Sequence, residues 1–214
     1  MFLRKSTHSS TVVVAMIALT TAAVFSENRS APAMRTSPPE RPRTIFDDLD
    51  RSRKISFAID ASRSMIQKMA TLKDQVNKAI VGMSPEQSFG LVFFQNFKCA
   101  ELNIELLPAN AANKHRAALF LEGVRIESKT NPIPGLEAVF LQNPEVIYLV
   151  TDGDFPDNAA VLKKIRELNK DKKVTIHTIA FVGQADSDTD FITLLKTIAA
   201  ENRGQYRNVN EADL

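Results

Sequence analysis

The sequence predicts an α/β fold in which a mostly parallel, doubly wound sheet is covered by helices on both faces. From residue 54 onwards, short runs of β-branched and aromatic residues alternate with longer amphipathic segments. This alternation is typical of parallel strands joined by helical crossovers. Several runs are apolar throughout, as in 146–150, and such runs are typical of strands that are buried on both faces. The 214 residues leave room for one ordinary domain and a tail.

Six strands and five helices are expected in this domain. The strands are placed at 55–60, 89–95, 99–105, 146–151, 174–181 and 206–209. The helices are placed where apolar residues recur at helical spacing, at 65–83, 111–122, 134–141, 158–169 and 190–202. Only a few residues separate the second strand from the third, so these two strands are expected to form a hairpin with one antiparallel edge strand.

Polar residues mark where the helices begin and end. Asn110, Asp157 and Asp190 each stand where a side chain can cap the start of a helix. Gly204 stands where the last helix is expected to stop.

The N-terminal segment has the pattern of an export signal. Arg4 and Lys5 precede a mostly apolar run at 12–25. This run is short for a helix that spans a membrane and about right for the core of a signal peptide. We expect a signal peptide or signal anchor at 1–26. The protein would then be periplasmic or secreted, or anchored in a membrane and facing outside the cytoplasm.

A proline-rich segment separates this signal from the domain. Four of the ten prolines lie in 27–53, interleaved with Arg, Ser and Thr. This composition predicts a disordered linker before a domain at 54–214. A short turn at Ile45, Phe46 and Leu49 that docks on the domain is an open alternative.

Charge and cysteine content exclude several classes of function. Residues 1–54 carry 9 Lys and Arg against 5 Asp and Glu, whereas the remainder carries 18 against 20. The domain is therefore mildly acidic, which disfavours a nucleic-acid partner. The single cysteine, Cys99, excludes an internal disulfide and a cysteine-built zinc site. No glycine-rich phosphate loop is present, which disfavours nucleotide binding.

Three polar loops are expected at one edge of the sheet. They are Asp60-Ala61-Ser62-Arg63-Ser64 after the first strand, Ser128-Lys129-Thr130-Asn131-Pro132 before a helix, and Thr151-Asp152-Gly153-Asp154 after the fourth strand. In an open doubly wound sheet, ligands bind beyond the carboxyl ends of the strands, where the strand order reverses. These loops offer carboxylates and hydroxyls without histidine or thiol, which is the ligand set of a hard divalent cation.

The spacing also suggests a role for each ligand. Ser62 and Ser64 are expected to bind the metal directly, and Thr130 to supply a further oxygen. Asp60 and Asp152 are expected to hold the ion through water or to accept protons from its ligands. Such a set leaves few negative charges on the ion and at least one open position, so a carboxylate from another molecule is a favourable ligand.

From about residue 54 to its end, the chain resembles a von Willebrand factor type A domain. The metal-ion-dependent adhesion site of that family is matched by Asp60-Ala61-Ser62-Arg63-Ser64, Thr130, and Asp152 with Gly153. The turn at 130–132 with Gly135-Leu136, and the run at 148–154, look most like bacterial exported members. The resemblance implies a six-stranded sheet of order 3-2-1-4-5-6, an Mg²⁺ or Mn²⁺ cofactor, and adhesion to an Asp or Glu carboxylate of a protein partner.

Three further residues are expected at the rim of this ligand site. Arg63 stands where the family commonly has glycine and would add a positive charge beside the metal. Asp154 and Phe155 follow the metal-binding loop and are expected to line the rim.

Two other functions stay open. Asp152 and Asp154 resemble the strand-end Asp-x-Asp of haloacid-dehalogenase-like phosphohydrolases, whose first aspartate is the nucleophile and whose second is the acid or base. That motif normally follows the first strand, and Pro156 stands where it has Thr or Val. The domain could also be a structural scaffold with a vestigial metal site. For either serine taken alone, Ser62 or Ser64, a second alternative is that it only caps the following helix. The leading expectation is a binding module that is not an enzyme.

Overall fold

The sheet has the strand order that the family resemblance implies, with one additional short strand. A computed structural model of the chain describes residues 44–46, 52–127, 130–153, 155–181 and 189–210. Its strands are β1 (Lys54–Asp60), β2 (Ser88–Phe94), β3 (Cys99–Glu101), β4 (Leu107–Pro108), β5 (Val146–Thr151), β6 (Thr175–Ala180) and β7 (Tyr206–Asn208). They form one sheet of order β3-β2-β1-β5-β6-β7, and β4 pairs with β2 off this path. β1 and β5 are adjacent and parallel at the centre.

The third strand, predicted at 99–105, is shorter than expected, and a second short strand, β4, follows beyond the predicted range. β3 and β4 both run antiparallel to β2, so the antiparallel edge is confirmed. Between them, the main-chain oxygen of Asn103 accepts a hydrogen bond from the side chain of Gln142, and the Asn103 side chain donates to the oxygen of Glu105. These bonds take main-chain groups out of the ladder, which interrupts the strand.

In the described part of the chain, five α-helices cover the sheet. They are α1 (Met69–Val81), α2 (Ala111–Gly123), α3 (Ile133–Leu141), α4 (Asn158–Leu168) and α5 (Thr189–Glu201). The segment predicted as one helix from residue 65 instead begins with a 3₁₀ turn, Arg63–Ile66, before α1.

Two of the three predicted helix caps are confirmed. The side chains of Asn110 and Asp157 accept hydrogen bonds from the main-chain N–H groups of Asn113 and Ala160. Asp190 lies in the first turn of α5, which begins one residue earlier, so its prediction as the cap is wrong.

The left-handed residue that follows α5 is not Gly204, the glycine at which this helix was expected to stop. The left-handed residue is Arg203, with φ of 59°, and no described glycine has a positive φ. Gly204 is required for another reason, because a Cβ at this position would lie 1.8 Å from the main-chain oxygen of Ile176. The glycine therefore lets the chain pass closely beside β6.

Alternating residues of the central strands build two cores. In β5, Val146, Tyr148 and Val150 belong to the core beneath α1 and α2, whereas Ile147 and Leu149 belong to the opposite core, beneath α3, α4 and α5. All six residues of this strand are buried. Each large apolar side chain buried in this way contributes about 1.5–3 kcal/mol to folding.

The structure also places part of the predicted linker in the first core. Ile45 and Phe46 are buried, and the ring of Phe46 meets the rings of Phe57 and Tyr148 edge to face at 5.0 and 5.3 Å. The open alternative of a docked turn therefore holds for these two residues, because their apolar surface packs against the face of β1 and β5. The signal segment, residues 27–43 and residues 47–51, which include Leu49, lie outside the described residues.

No helix in the described part of the chain has the length and apolar character to cross a membrane.

Candidate functional site

The first site loop begins with a buried carboxylate. Asp60 is the last residue of β1 and is fully buried. Its Oδ1 accepts a 2.8 Å hydrogen bond from the main-chain N–H of Ser62, and its Oδ2 accepts a 2.7 Å bond from Oγ1 of Thr151. The carboxylate therefore joins the ends of the two central strands at the point where the strand order reverses.

Burial changes the acidity of this carboxylate. Desolvation raises the pKa of Asp60 from 3.8 to about 6, against the opposite effect of the hydrogen bonds from Thr151 and Ser62. The negative charge of Asp152 adds a smaller upward contribution. Within the described ranges no Lys, Arg or His forms an ion pair with Asp60. A bound cation would compensate this buried charge.

Both serines of the loop face the site. The Oγ atoms of Ser62 and Ser64 lie 3.0 Å apart, and Ser64 donates a 2.6 Å hydrogen bond to Oδ1 of Asp152. Ser62 occupies the position before the 3₁₀ turn, but its side chain makes no capping hydrogen bond. Because the hydroxyls of both serines contact site residues, their contacts do not fit the alternative in which these serines only cap a helix.

Asp152 connects the first loop to the loop after β5. Its side chain is fully buried, and its Oδ2 lies 2.8 Å from Nζ of Lys68. Thus Ser64 and Lys68 each contact one of the two carboxylate oxygens. Lys68 is a site residue that the sequence reasoning missed.

Main-chain hydrogen bonds hold the middle loop beside the first loop and beside the carboxyl end of β2. The N–H of Glu127 donates to the oxygen of Ala61, and the N–H of Asn131 donates to the oxygen of Gln95 at the end of β2. Thr130 lines the same cavity as Ser62 and Ser64. Ser128 and Lys129 lie outside the described residues.

That cavity has a volume of about 630 Å³, and its lining mixes two kinds of residue. The three hydroxyl residues share it with the apolar residues Phe97, Pro132, Ile133, Pro156 and Val161. Phe97 is 79% exposed at the tip of the hairpin between β2 and β3. The sequence reasoning missed these apolar lining residues. An aromatic residue in the polar turn Asn96-Phe97-Lys98 is a signal that could have indicated Phe97 as one of them.

The three predicted rim residues have different outcomes. Arg63 is exposed and lines the cavity. Asp154 lies outside the described residues. The prediction for Phe155 is wrong, because this side chain is only 4% exposed and packs between the rings of Phe94 and Phe191. Apolar contact with the core, not the ligand site, determines its position.

The donor chemistry fits a hard divalent cation. No group of three or more His, Cys, Asp or Glu that could hold a metal occurs among the described residues. The candidate ligands are instead three hydroxyl residues, Ser62, Ser64 and Thr130, and the two carboxylates of Asp60 and Asp152, all of which offer oxygen atoms. Mg²⁺ and Mn²⁺ prefer such oxygen ligands, so the residues fit the predicted ion in their chemistry.

Comparisons with known proteins agree with this architecture. A family model described as von Willebrand factor type A domain matches residues 53–208. A solved structure described as von Willebrand factor type A from Catenulispora acidiphila is 18% identical with a TM-score of 0.60, over 74% of this chain and 39% of that one. The chain thus spans about two fifths of that protein's length. The VWA domain of SpRpn10 is 12% identical with a TM-score of 0.54, over 74% of this chain and 88% of that one.

At these identities the solved structures show the fold alone. No match was found among curated proteins. Neither the family match nor the solved structures favour the phosphohydrolase or the scaffold alternative.

Proposed function

The chain belongs to the von Willebrand factor type A domain family, and from this premise we propose that it is a metal-dependent protein-interaction module. Domains of this family are generally protein-interaction modules and often bind divalent metal ions. In the proposed function, the domain captures an Asp or Glu side chain of a partner protein.

We assign the metal ligands to the three loops at the carboxyl edge of the sheet. Ser62, Ser64 and Thr130 would offer hydroxyl oxygens to Mg²⁺ or Mn²⁺. Asp60 and Asp152 would orient these hydroxyls and balance the charge. When bound, the ion supplies a positive centre to which a partner's carboxylate coordinates.

One observation carries this proposal: hydroxyls and carboxylates from separate loops share one continuous arrangement. Ser62 lies 3.0 Å from Ser64, which lies 2.6 Å from Asp152, and Thr130 faces the same cavity. Asp60 holds the loop in place through the main-chain N–H of Ser62.

The cavity also indicates what surrounds the partner's carboxylate. Besides the hydroxyl residues, the cavity is lined by the apolar residues Phe97, Ile133 and Val161, and the ring of Phe97 is exposed. We therefore propose an acidic residue with an apolar neighbour as the recognised element, since burying that neighbour against Phe97 adds about 25 cal/mol for each Å².

We further propose that residues 1–26 export the protein, which places the domain outside the cytoplasm. The apolar run at 12–25 supports this proposal. Sequencing the N-terminus of the mature protein tests it. A start at residues 24–27 supports cleavage, and Met1 on a membrane-bound form supports an anchor. An unprocessed cytoplasmic protein contradicts export.

Titration of the full chain with Mg²⁺ and Mn²⁺ by calorimetry tests the metal site. Wild type is expected to bind one ion, and Ser62→Ala, Thr130→Ala and Asp152→Ala to bind it at least about tenfold more weakly, because each removes an oxygen ligand or its support. Thr197→Ala is the control, since its hydroxyl bonds the main-chain oxygen of Thr193 on α5. Wild-type binding that these three changes leave untouched would contradict the assigned ligands.

A matched pair of small probes tests carboxylate capture. The capped dipeptide acetyl-Leu-Glu-amide is added to the Mn²⁺-loaded protein, and acetyl-Leu-Gln-amide is its neutral counterpart. We expect binding of the acidic dipeptide alone and its release by a chelator. Equal binding of the two dipeptides, or binding that survives chelation, contradicts the proposal.

A further inference from the structure

Lys68 places a positive charge inside the proposed metal site. Its Nζ lies 2.8 Å from Oδ2 of Asp152, and its side chain is only 22% exposed. The partner carboxylate is fully buried. This ion pair is therefore shielded from water much more than the described pairs at the surface, such as Lys78 with Asp74.

The position of Lys68 has no explanation in local helix electrostatics. Lys68 stands immediately before α1, where the positive end of the helix dipole repels a cation. Its main-chain N–H bonds the oxygen of Met65, and its oxygen accepts from the N–H of Leu72. The 3₁₀ turn and α1 thus fix the backbone of Lys68, and Asp152 is the group that attracts its ammonium.

The charge of Lys68 has opposite effects on the two binding events of the site. Asp60, Asp152 and Lys68 together carry a net charge of −1, and Arg63 and Asp157, which line the same cavity, carry charges of opposite sign that cancel. A divalent ion would change this to +1, whereas the same site without the ammonium would become neutral. The ammonium therefore repels the ion and strengthens the attraction of the loaded site for an anion.

We propose that Lys68 lowers the affinity of this site for the divalent ion and raises the affinity of the loaded site for a partner's carboxylate. This inference rests on the proposed function. In this proposal, Lys68 determines how much the loaded site gains from binding a partner's carboxylate.

A purely structural ion pair predicts a different result. If Lys68 only held Asp152 in place, its removal would disorder that carboxylate and weaken the binding of the ion and of the acid together. The proposal instead requires the two affinities to change in opposite directions.

The experiment compares the full chain in wild-type form with Lys68→Met and with Lys78→Met. Lys78→Met is the matched control, because this substitution also removes one lysine charge. Lys78 lies in α1, ten residues after Lys68 and about 15 Å further along the helix axis. Mn²⁺ affinity is measured by calorimetry. The affinity for acetyl-Leu-Glu-amide is then measured by NMR at saturating Mn²⁺, with acetyl-Leu-Gln-amide as the neutral probe.

Lys68→Met is expected to bind Mn²⁺ about tenfold more tightly and the acidic dipeptide about tenfold more weakly, with no change for Lys78→Met. Unchanged or weaker Mn²⁺ binding by Lys68→Met, or unchanged or tighter binding of the acidic dipeptide, overturns the inference while the proposed function stands. If neither wild type nor Lys68→Met binds Mn²⁺, the proposed function and this inference both fail. Lys68→Gln, which keeps an uncharged donor near Asp152, replaces the Met variant if that variant does not fold, and the same outcomes apply to it.

Discussion

The hydroxyl of Thr151 donates a 2.7 Å hydrogen bond to Oδ2 of Asp60, and this contact joins the last residue of β5 to the last residue of β1. Both residues are fully buried. The carboxylate therefore receives from a neighbouring strand part of the hydrogen bonding that water would otherwise provide. This relationship connects the packing of the sheet to the electrostatics of the site.

Replacing Thr151 with Val keeps the shape of this side chain and removes the hydrogen bond. Because a buried carboxylate then loses a donor, we expect the free energy of unfolding to fall by about 1.5–3 kcal/mol at pH 8. The loss is expected to be smaller at pH 4.5, where Asp60 is protonated. Urea unfolding of the full chain in the presence of a chelator measures both values.

Thr151→Ser retains the hydroxyl and serves as the control for that experiment. It loses a buried methyl group, which costs about 1 kcal/mol at either pH. The hydrogen-bond argument is contradicted if the effect of Thr151→Val does not depend on pH, or if the Ser variant shows the same dependence.

The raised pKa of Asp60 predicts that this residue makes the metal-free fold less stable as pH rises. Its folded pKa of about 6 lies above the unfolded value of 3.8. The contribution to stability is therefore fully present below about pH 4 and is lost as pH rises through about 6. From the size of this shift, the loss amounts to roughly 3 kcal/mol.

Asp60→Asn isolates this effect, because the amide can still accept from Ser62 and can donate to the Thr151 hydroxyl. Relative to wild type, the variant is expected to gain roughly 3 kcal/mol of unfolding free energy between pH 4 and pH 8, measured by urea unfolding with a chelator present. A difference between the two proteins that is constant over this range would show that burial does not raise the pKa of Asp60.

Much of the fold could be predicted from the sequence because its signals are local. The apolar run that forms β5, the helical spacing along α1 and the short hairpin after β2 each depend on neighbouring residues only. The break between β3 and β4 could not be predicted, since it depends on a contact between Gln142 and Asn103, 39 positions apart. The docking of Phe46 depends on distant partners in the same way.

The site was predictable where strand order alone brings residues together. The ends of β1 and β5 had to be neighbours once the sheet was doubly wound, which explains the proximity of Ser64 and Asp152. Lys68 was missed because its direction depends on the 3₁₀ turn before α1. Phe155 was misassigned because sequence does not show where a loop after a strand turns back into the core.

Two phenylalanines of opposite exposure test whether the segment before β1 belongs to the fold. Phe46 is 1% exposed against Phe57 and Tyr148, whereas Phe97 is 79% exposed. We expect Phe46→Ala to lower the free energy of unfolding by about 3 kcal/mol, because it leaves a cavity in the first core. Phe97→Ala is expected to change it by less than about 0.5 kcal/mol, as is usual at exposed positions.

Urea unfolding of the two variants at one pH makes this comparison. A Phe46→Ala variant as stable as Phe97→Ala would contradict the docked position of residues 44–46. It would also restore the prediction that the linker extends to residue 53.

Gly204 and Gly123 form a second matched pair, since both lie near the end of a helix but differ in their surroundings. A Cβ at Gly204 would lie 1.8 Å from the main-chain oxygen of Ile176, whereas a Cβ at Gly123 would meet nothing within 4 Å. The chain at Gly204 cannot easily move away, because its N–H bonds the oxygen of Ala199 and the main-chain oxygen of the next residue, Gln205, accepts from the N–H of Thr178.

Gly204→Ala should therefore lower the free energy of unfolding by about 3 kcal/mol through backbone overlap. Gly123→Ala, at the last residue of α2, should raise it by up to about 0.5 kcal/mol because alanine loses less backbone entropy on folding than glycine. Urea unfolding of both variants decides the matter: a Gly204→Ala protein as stable as wild type would mean that α5 and β7 do not approach β6 this closely.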